Sequence, residues 1–105
     1  MKEVRLFVDP ENVGKVMNAM AEAGVTGFYV IEYRGVSPKR WEGFMIEESP
    51  EAALKALKDL SENAVMFVTV VTDEVCERLK EVAEEYLRDV RHTIVVAPVD
   101  EITVR

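Results

Sequence analysis

The run GFYVIEYRGVSPKRWEGF, residues 27–44, gathers the side chains of this sequence best suited to chemistry. Arg34, Lys39 and Arg40 follow one another there with no acidic residue between Arg34 and Trp41, in a chain whose formal net charge is -7. Gly35, Ser37 and Pro38 punctuate the run and mark a loop, the kind of segment on which binding residues concentrate. Arg offers a planar fork of donors that matches phosphate or carboxylate, and Lys a point charge. Trp41 could stack on a base for about 1–3 kcal/mol, or pack on a neighbouring helix. A cationic loop on an acidic body reads as the place where an anionic ligand or a partner protein is gripped. The plainer alternative is a solvated hairpin tip whose Trp packs back on the fold.

Arg91, His92 and Arg105 complete the candidates. They could join Arg34, Lys39 and Arg40 around one anion if adjacent subunits meet at the base of the loop. Ordinary surface cations pairing with the 20 acidic residues are the competing account, each pair worth little. His92 is the single His, so a catalytic or metal role lacks partners and a polar contact to a ligand is the remaining one. Cys76 shares a helical stripe with Leu79 and Ala83 and reads as a small buried hydrophobe. Met17, Met20, Met45 and Met66 sit at core-pattern positions. Glu47-Glu48 and Glu84-Glu85 are adjacent pairs, which do not converge on a helix. An acylphosphatase-like site would need an Arg and free backbone donors after the first strand, where this chain has Asp9-Pro10-Glu11-Asn12. The expectation is therefore no enzyme, no catalytic residue and no metal.

With 105 residues, 49% hydrophobic and 31% charged, the chain suits one globular domain spanning 1–105. A pI near 4.7 argues against nucleic-acid binding and against adhesion to an anionic membrane. No run reaches the ~20 apolar residues of a membrane span, and the first apolar run is broken by Arg5 and ended by Asp9-Pro10. A cytoplasmic protein is expected.

The elements that must position the cations follow from periodicity. Val4, Leu6 and Val8 alternate with Arg5, Phe7 and Asp9 as a strand. Asp9-Pro10-Glu11 opens a helix carrying Val13, Val16, Met17 and Met20, and Gly24 closes it. A second strand runs from Val25 to Tyr33. The order then repeats: Met66, Val68 and Val70 take the places of Val4, Leu6 and Val8, and Thr72-Asp73-Glu74 that of Asp9-Pro10-Glu11, within about a residue. Val75, Leu79 and Val82 form the second helix stripe, and His92 to Val99 the returning strand. Two such halves make an α+β, ferredoxin-like βαββαβ sandwich. Between them, Ser49-Pro50-Glu51 starts a short insert helix with Ala53, Leu54, Leu57 and Leu60, after the cationic loop. Ile102 to Arg105 reads as a short terminal strand.

The helix-free face of such a sheet should be polar on alternate residues in a lone subunit. On this phasing it carries Phe7, Tyr29, Ile31, Tyr33, Val65, Phe67, Thr69 and Val71. Each large apolar side chain left in water forgoes roughly 1.5–3 kcal/mol. Burial between subunits is the expected outcome, with cover by the insert helix within one subunit as the alternative.

These features together resemble the PII-like signalling proteins. VRLFVDPENVGKVMNAMAEAGVTGFYVIEYRG is similar to their first half, and IVVAPVDEITVR to their last strand. GVSPKRWEGF resembles the loop of an uncharacterised archaeal PII-like group. The resemblance implies a homotrimer whose sheets line its centre. It also implies an adenine nucleotide such as ATP or ADP, or another small anion, held between subunits at the base of the T-loop. By position Gly35 begins that loop, Lys39 and Arg40 lie in it, and Arg105 matches a basic residue of the closing strand. One departure bears on the ligand: Asp89-Val90-Arg91-His92 stands where nucleotide-binding members carry a Gly-rich phosphate cradle. The function implied is a small-molecule-responsive regulatory module that signals to a target protein through residues 34–43. The alternative is a ligand-free structural trimer using the basic loop as a protein-docking surface.

Overall fold

The computed structural model describes residues 1–36 and 47–105. Strand β1 (Lys2–Val8) leads through a 3-10 turn (Pro10–Asn12) into α1 (Val13–Ala23), and β2 (Tyr29–Gly35) follows. After α2 (Pro50–Leu60) come β3 (Glu62–Val71), α3 (Asp73–Tyr86) and β4 (His92–Pro98). The strands form one four-stranded sheet in the order β2-β3-β1-β4, every neighbouring pair antiparallel. This is the α+β, ferredoxin-like arrangement expected from the duplicated pattern.

Local chemistry explains the boundaries. Pro10 stands where no helical N–H partner is required, and Gly24 ends α1 in the left-handed region at φ 91°. The Thr72 hydroxyl accepts from the Val75 N–H and caps α3, while the Ser49 hydroxyl accepts from the Ala52 N–H and caps α2. β2 begins later than the apolar pattern suggests. Val25 still packs on the core, Phe28 lies over Phe67 with ring centroids 5.5 Å apart, and the Thr69 hydroxyl donates to the Gly27 carbonyl at 2.6 Å.

α1 and α3 pack on one face of the sheet, over Val4, Leu6, Val8, Val65, Phe67 and Val71. This reverses the expected phase of β3. Leu6 lies opposite Phe67 and Val8 opposite Val65, and side chains of paired positions share a face. Phe67 is therefore fully buried under the helices, and Met66 and Val70 occupy the other face. β3 is apolar at almost every position, so alternation could not phase it; a one-residue slip moves every side chain to the opposite face. Among the core-pattern methionines Met20 is buried and Met17 exposed, and Met45 lies outside the described residues. Cys76 is buried beside Leu79 and Ala83, as its stripe predicts.

The expected strand at Ile102 to Arg105 is absent: residues 99–105 form no helix or strand. The last contact in that direction is the Val99 N–H donating to the Met1 carbonyl at 3.2 Å.

Candidate functional site

The antiparallel order brings several candidates to one end of the sheet. β2 finishes there with Arg34 and Gly35, β3 starts there with Glu62 and Asn63, and β4 starts there with His92. Arg34 lies opposite Asn63, Gly35 opposite Glu62, and His92 opposite Val8. Yet β2 and β4 are opposite edges of the sheet. Three interstrand steps separate Arg34 from the β4 edge, about 14 Å at 4.7–4.9 Å each. Arg34 and Arg91 thus share one end of the sheet, with their backbones on opposite edges.

Arg91 reaches inward, its guanidinium 3.3 Å from the Glu62 carboxylate. Both side chains are exposed, so the pair adds little stability. His92 is half-buried with Nδ1 2.8 Å from the Val90 carbonyl. A carbonyl can only accept, so Nδ1 carries the proton and Nε2 is left as an acceptor in the neutral ring. Ser37, Lys39, Arg40 and Trp41 lie outside the described residues. Arg105 belongs to the segment 99–105, which departs from the far end of β4, away from Arg34.

Two clefts meet at Arg34. One, of about 450 Å³, is lined by Pro10 with Glu32, Tyr33 and Arg34 of β2 and Asn63, Ala64 and Val65 of β3. The other, of about 420 Å³, lies between β2 and α2 and is lined by Arg34, Leu54, Leu57, Lys58 and Ser61. Among the described residues, the first mixes an acid with a base, and the second contains two cations and no carboxylate. Lys58 and the α2 leucines were missed as site residues because the insert helix reads as amphipathic packing. Their signal is that α2 buries none of its residues, which only the fold reveals.

The helix-free face remains apolar with the corrected phase. It carries Phe7, Tyr29, Ile31, Tyr33, Met66, Val68, Val70 and Val95, together with Thr93 and the Glu3–Arg5 ion pair. Phe7 and Tyr33 meet edge to face at 6.3 Å, while Tyr29 and Ile31 are 58% and 42% exposed. α2, with none of its residues buried, does not cover this face within the chain. Among the described residues no cluster of His, Cys, Asp and Glu could hold a metal, and no helix is long and apolar enough to cross a membrane.

Comparison with known proteins agrees with this architecture. The profile of a family described as "Uncharacterized protein, homolog of nitrogen regulatory protein PII" matches residues 1–105. A protein of Methanocaldococcus jannaschii is 43% identical over 99 residues, covering 94% of this chain and 92% of that one. Another, of Methanothermobacter thermautotrophicus, is 42% identical over 101 residues, covering 96% and 67%. Among solved structures, a nitrogen regulatory PII-like protein from Thiomonas intermedia K12, bound to ADP, AMP and bicarbonate, superposes with a TM-score of 0.59. It covers 91% of this chain and 86% of that one at 12% identity, so the likeness is one of fold. The apo form of the same protein gives 0.60 at 14% identity, covering 91% and 85%.

Proposed function

The chain belongs to the family of homologues of nitrogen regulatory protein PII, and on that premise we propose that it is a cytoplasmic regulatory module rather than a catalyst, which binds a small anionic metabolite between subunits of a homotrimer. The observation that carries this reading is the position of Arg34 and Arg91, at the same end of the sheet but on opposite edges. Cations so placed can be shared between copies when the β2 edge of one approaches the β4 edge of the next. The apolar helix-free face supplies the reason for copies to meet.

Arg34 then anchors the anion, Gly35 lets the chain turn into the loop, and His92 offers a polar contact through Nε2. Ser37, Lys39, Arg40, Trp41 and Arg105 are assigned to the same site by their place in the sequence. The loop responds to occupancy and presents or withholds a surface for a target protein. An adenine nucleotide is the first ligand to test, since the related Thiomonas protein is bound to ADP and AMP.

Calorimetric titration with ATP and magnesium tests this directly. Saturable binding near one site per chain, weakened at least tenfold by Arg34→Ala with the oligomer intact, is the expected outcome, the tenfold corresponding to about 1.4 kcal/mol. Equal affinity in the variant would remove Arg34 from the site. A second reading has one observation in its favour: Arg91 already pairs with Glu62, in a segment without the Gly-rich phosphate cradle. On that reading the trimer is structural and the basic loop docks a protein without any ligand.

A further inference from the structure

The cleft between β2 and α2 has a composition that neither a bare anion nor an apolar solute would explain. Leu54 and Leu57 stand one helical turn apart on α2, 67% and 54% exposed, with the methylenes of Lys58 alongside. Across from them Arg34 ends β2, so two cations border an apolar wall. In a chain of net charge -7, the described residues of this lining include no carboxylate. Its one hydroxyl, on Ser61, is occupied in donating to the Leu57 carbonyl. The volume of about 420 Å³ falls within the usual range for small-molecule sites.

An inorganic anion would engage Arg34 and Lys58 and leave both leucines wet. A neutral hydrocarbon would cover the leucines and strip water from two cations without replacing it. A molecule with an anionic head and an apolar body satisfies both. Among the described residues the lining offers two cations and an apolar wall, with no aromatic ring, amide or carboxylate. We propose that this cleft binds a medium-chain acyl carboxylate, with the head on Arg34 and Lys58 and the chain along Leu54 and Leu57. The proposal rests on the reading above that the root of the loop holds a small anion, and it names a ligand class for that place.

The test is titration of the full-length protein with decanoate, with decanol and acetate as partial probes and ATP with magnesium in parallel. Saturable decanoate binding is expected, with decanol and acetate each at least tenfold weaker. Leu57→Asp should abolish it, and the double variant Arg34→Ala, Lys58→Ala should weaken it at least tenfold. Both alter exposed positions, and circular dichroism checks that the fold is unchanged. Decanol binding as tightly as decanoate would overturn the assignment of the head to the cations. ATP binding that depends on Arg34, with no decanoate binding, would sink this proposal and leave the regulatory reading standing. Flotation with anionic phospholipid vesicles, without binding of free decanoate, would overturn it in favour of a membrane-surface helix.

Discussion

Phe67 and Met66 are neighbours on β3 with opposite surroundings, and truncating each separates folding from assembly. The Phe67 side chain is fully buried between sheet and helices and contacts the Phe28 ring at 5.5 Å. Phe67→Ala removes the ring from the centre of the core and leaves a cavity between Leu6 and the helices. Substitutions of this kind cost about 3–5 kcal/mol, against a total stability of about 5–15 kcal/mol. With a urea slope of about 1–3 kcal/mol per molar, a loss of ~4 kcal/mol moves the midpoint down by roughly 2 M. Met66 lies on the helix-free face and is only half-buried within the chain. Met66→Ala removes part of its apolar contact, about 1 kcal/mol at the ~0.8 kcal/mol of each buried methylene. Its larger effect should fall on the proposed association between copies, which Met66→Asp should abolish. Urea unfolding followed by far-ultraviolet circular dichroism at several protein concentrations, together with sedimentation, distinguishes the two. The concentration series is needed because assembly adds to apparent stability. If Met66→Ala unfolds the dilute protein as severely as Phe67→Ala does, the assignment of the two faces of β3 is refuted.

The remaining predictions concern the helices. Gly24→Ala should lower stability by about 1–2 kcal/mol, because an L-residue must hold φ 91° while its Cβ meets the Arg78 guanidinium at an ordinary 3.5 Å. Urea midpoints measure it, and a neutral result would contradict the left-handed cap. The Glu22 carboxylate of α1, as hydrogen-bond acceptor and then as charge, raises the pKa of the Tyr86 phenol of α3 above the ordinary 10.0. A raised folded-state value means a contribution complete below pH 10.0 and lost as pH climbs through the folded value. Thermal melts across the alkaline range should show that decline, and Tyr86→Phe should remove it; an unchanged profile in the variant would rule the bond out.

Most of the fold is written in local signals that survive in the structure. Pro10, Gly24, Ser49 and Thr72 mark helix ends by conformational and capping chemistry that tertiary packing does not override. β1 alternates cleanly, so its core face was legible. β3 was not, since Val65, Met66, Phe67 and Val68 are apolar in succession and periodicity carries no phase there. The missing signal was the cap. Setting Thr72 against Asp9 shifts the second half by one residue and gives Val71 the place of Val8 on the core face, where both are found. In both halves the residue before the cap, Val8 or Val71, is buried beneath the helices. The site was less legible. Charge located Arg34 and Arg91, but only strand order shows that they lie on opposite edges, and only the exposure of α2 shows that Leu54 and Lys58 border a cleft.

The Arg91–Glu62 pair bears on which reading of the assembly holds. If that pair were a lock, Arg91 could not serve a ligand, and the structural trimer would gain weight. Magnitudes decide against a lock. The side chains are 41% and 52% exposed at 3.3 Å, and exposed pairs of this kind contribute about 0–1 kcal/mol. A hydrogen bond to a charged ligand group contributes about 1.5–3 kcal/mol. An anion at the β4 edge would thus outcompete Glu62, which in its absence holds Arg91 near the sheet rather than free in water. Glu62→Gln follows from the same argument. Removing the competing charge should tighten binding of any anion that uses Arg91, by up to about fivefold for 1 kcal/mol. The same change should leave an anion held by Arg34 and Lys58 alone unaffected. Titrating ATP and decanoate into this single variant would show which of the two places each ligand occupies.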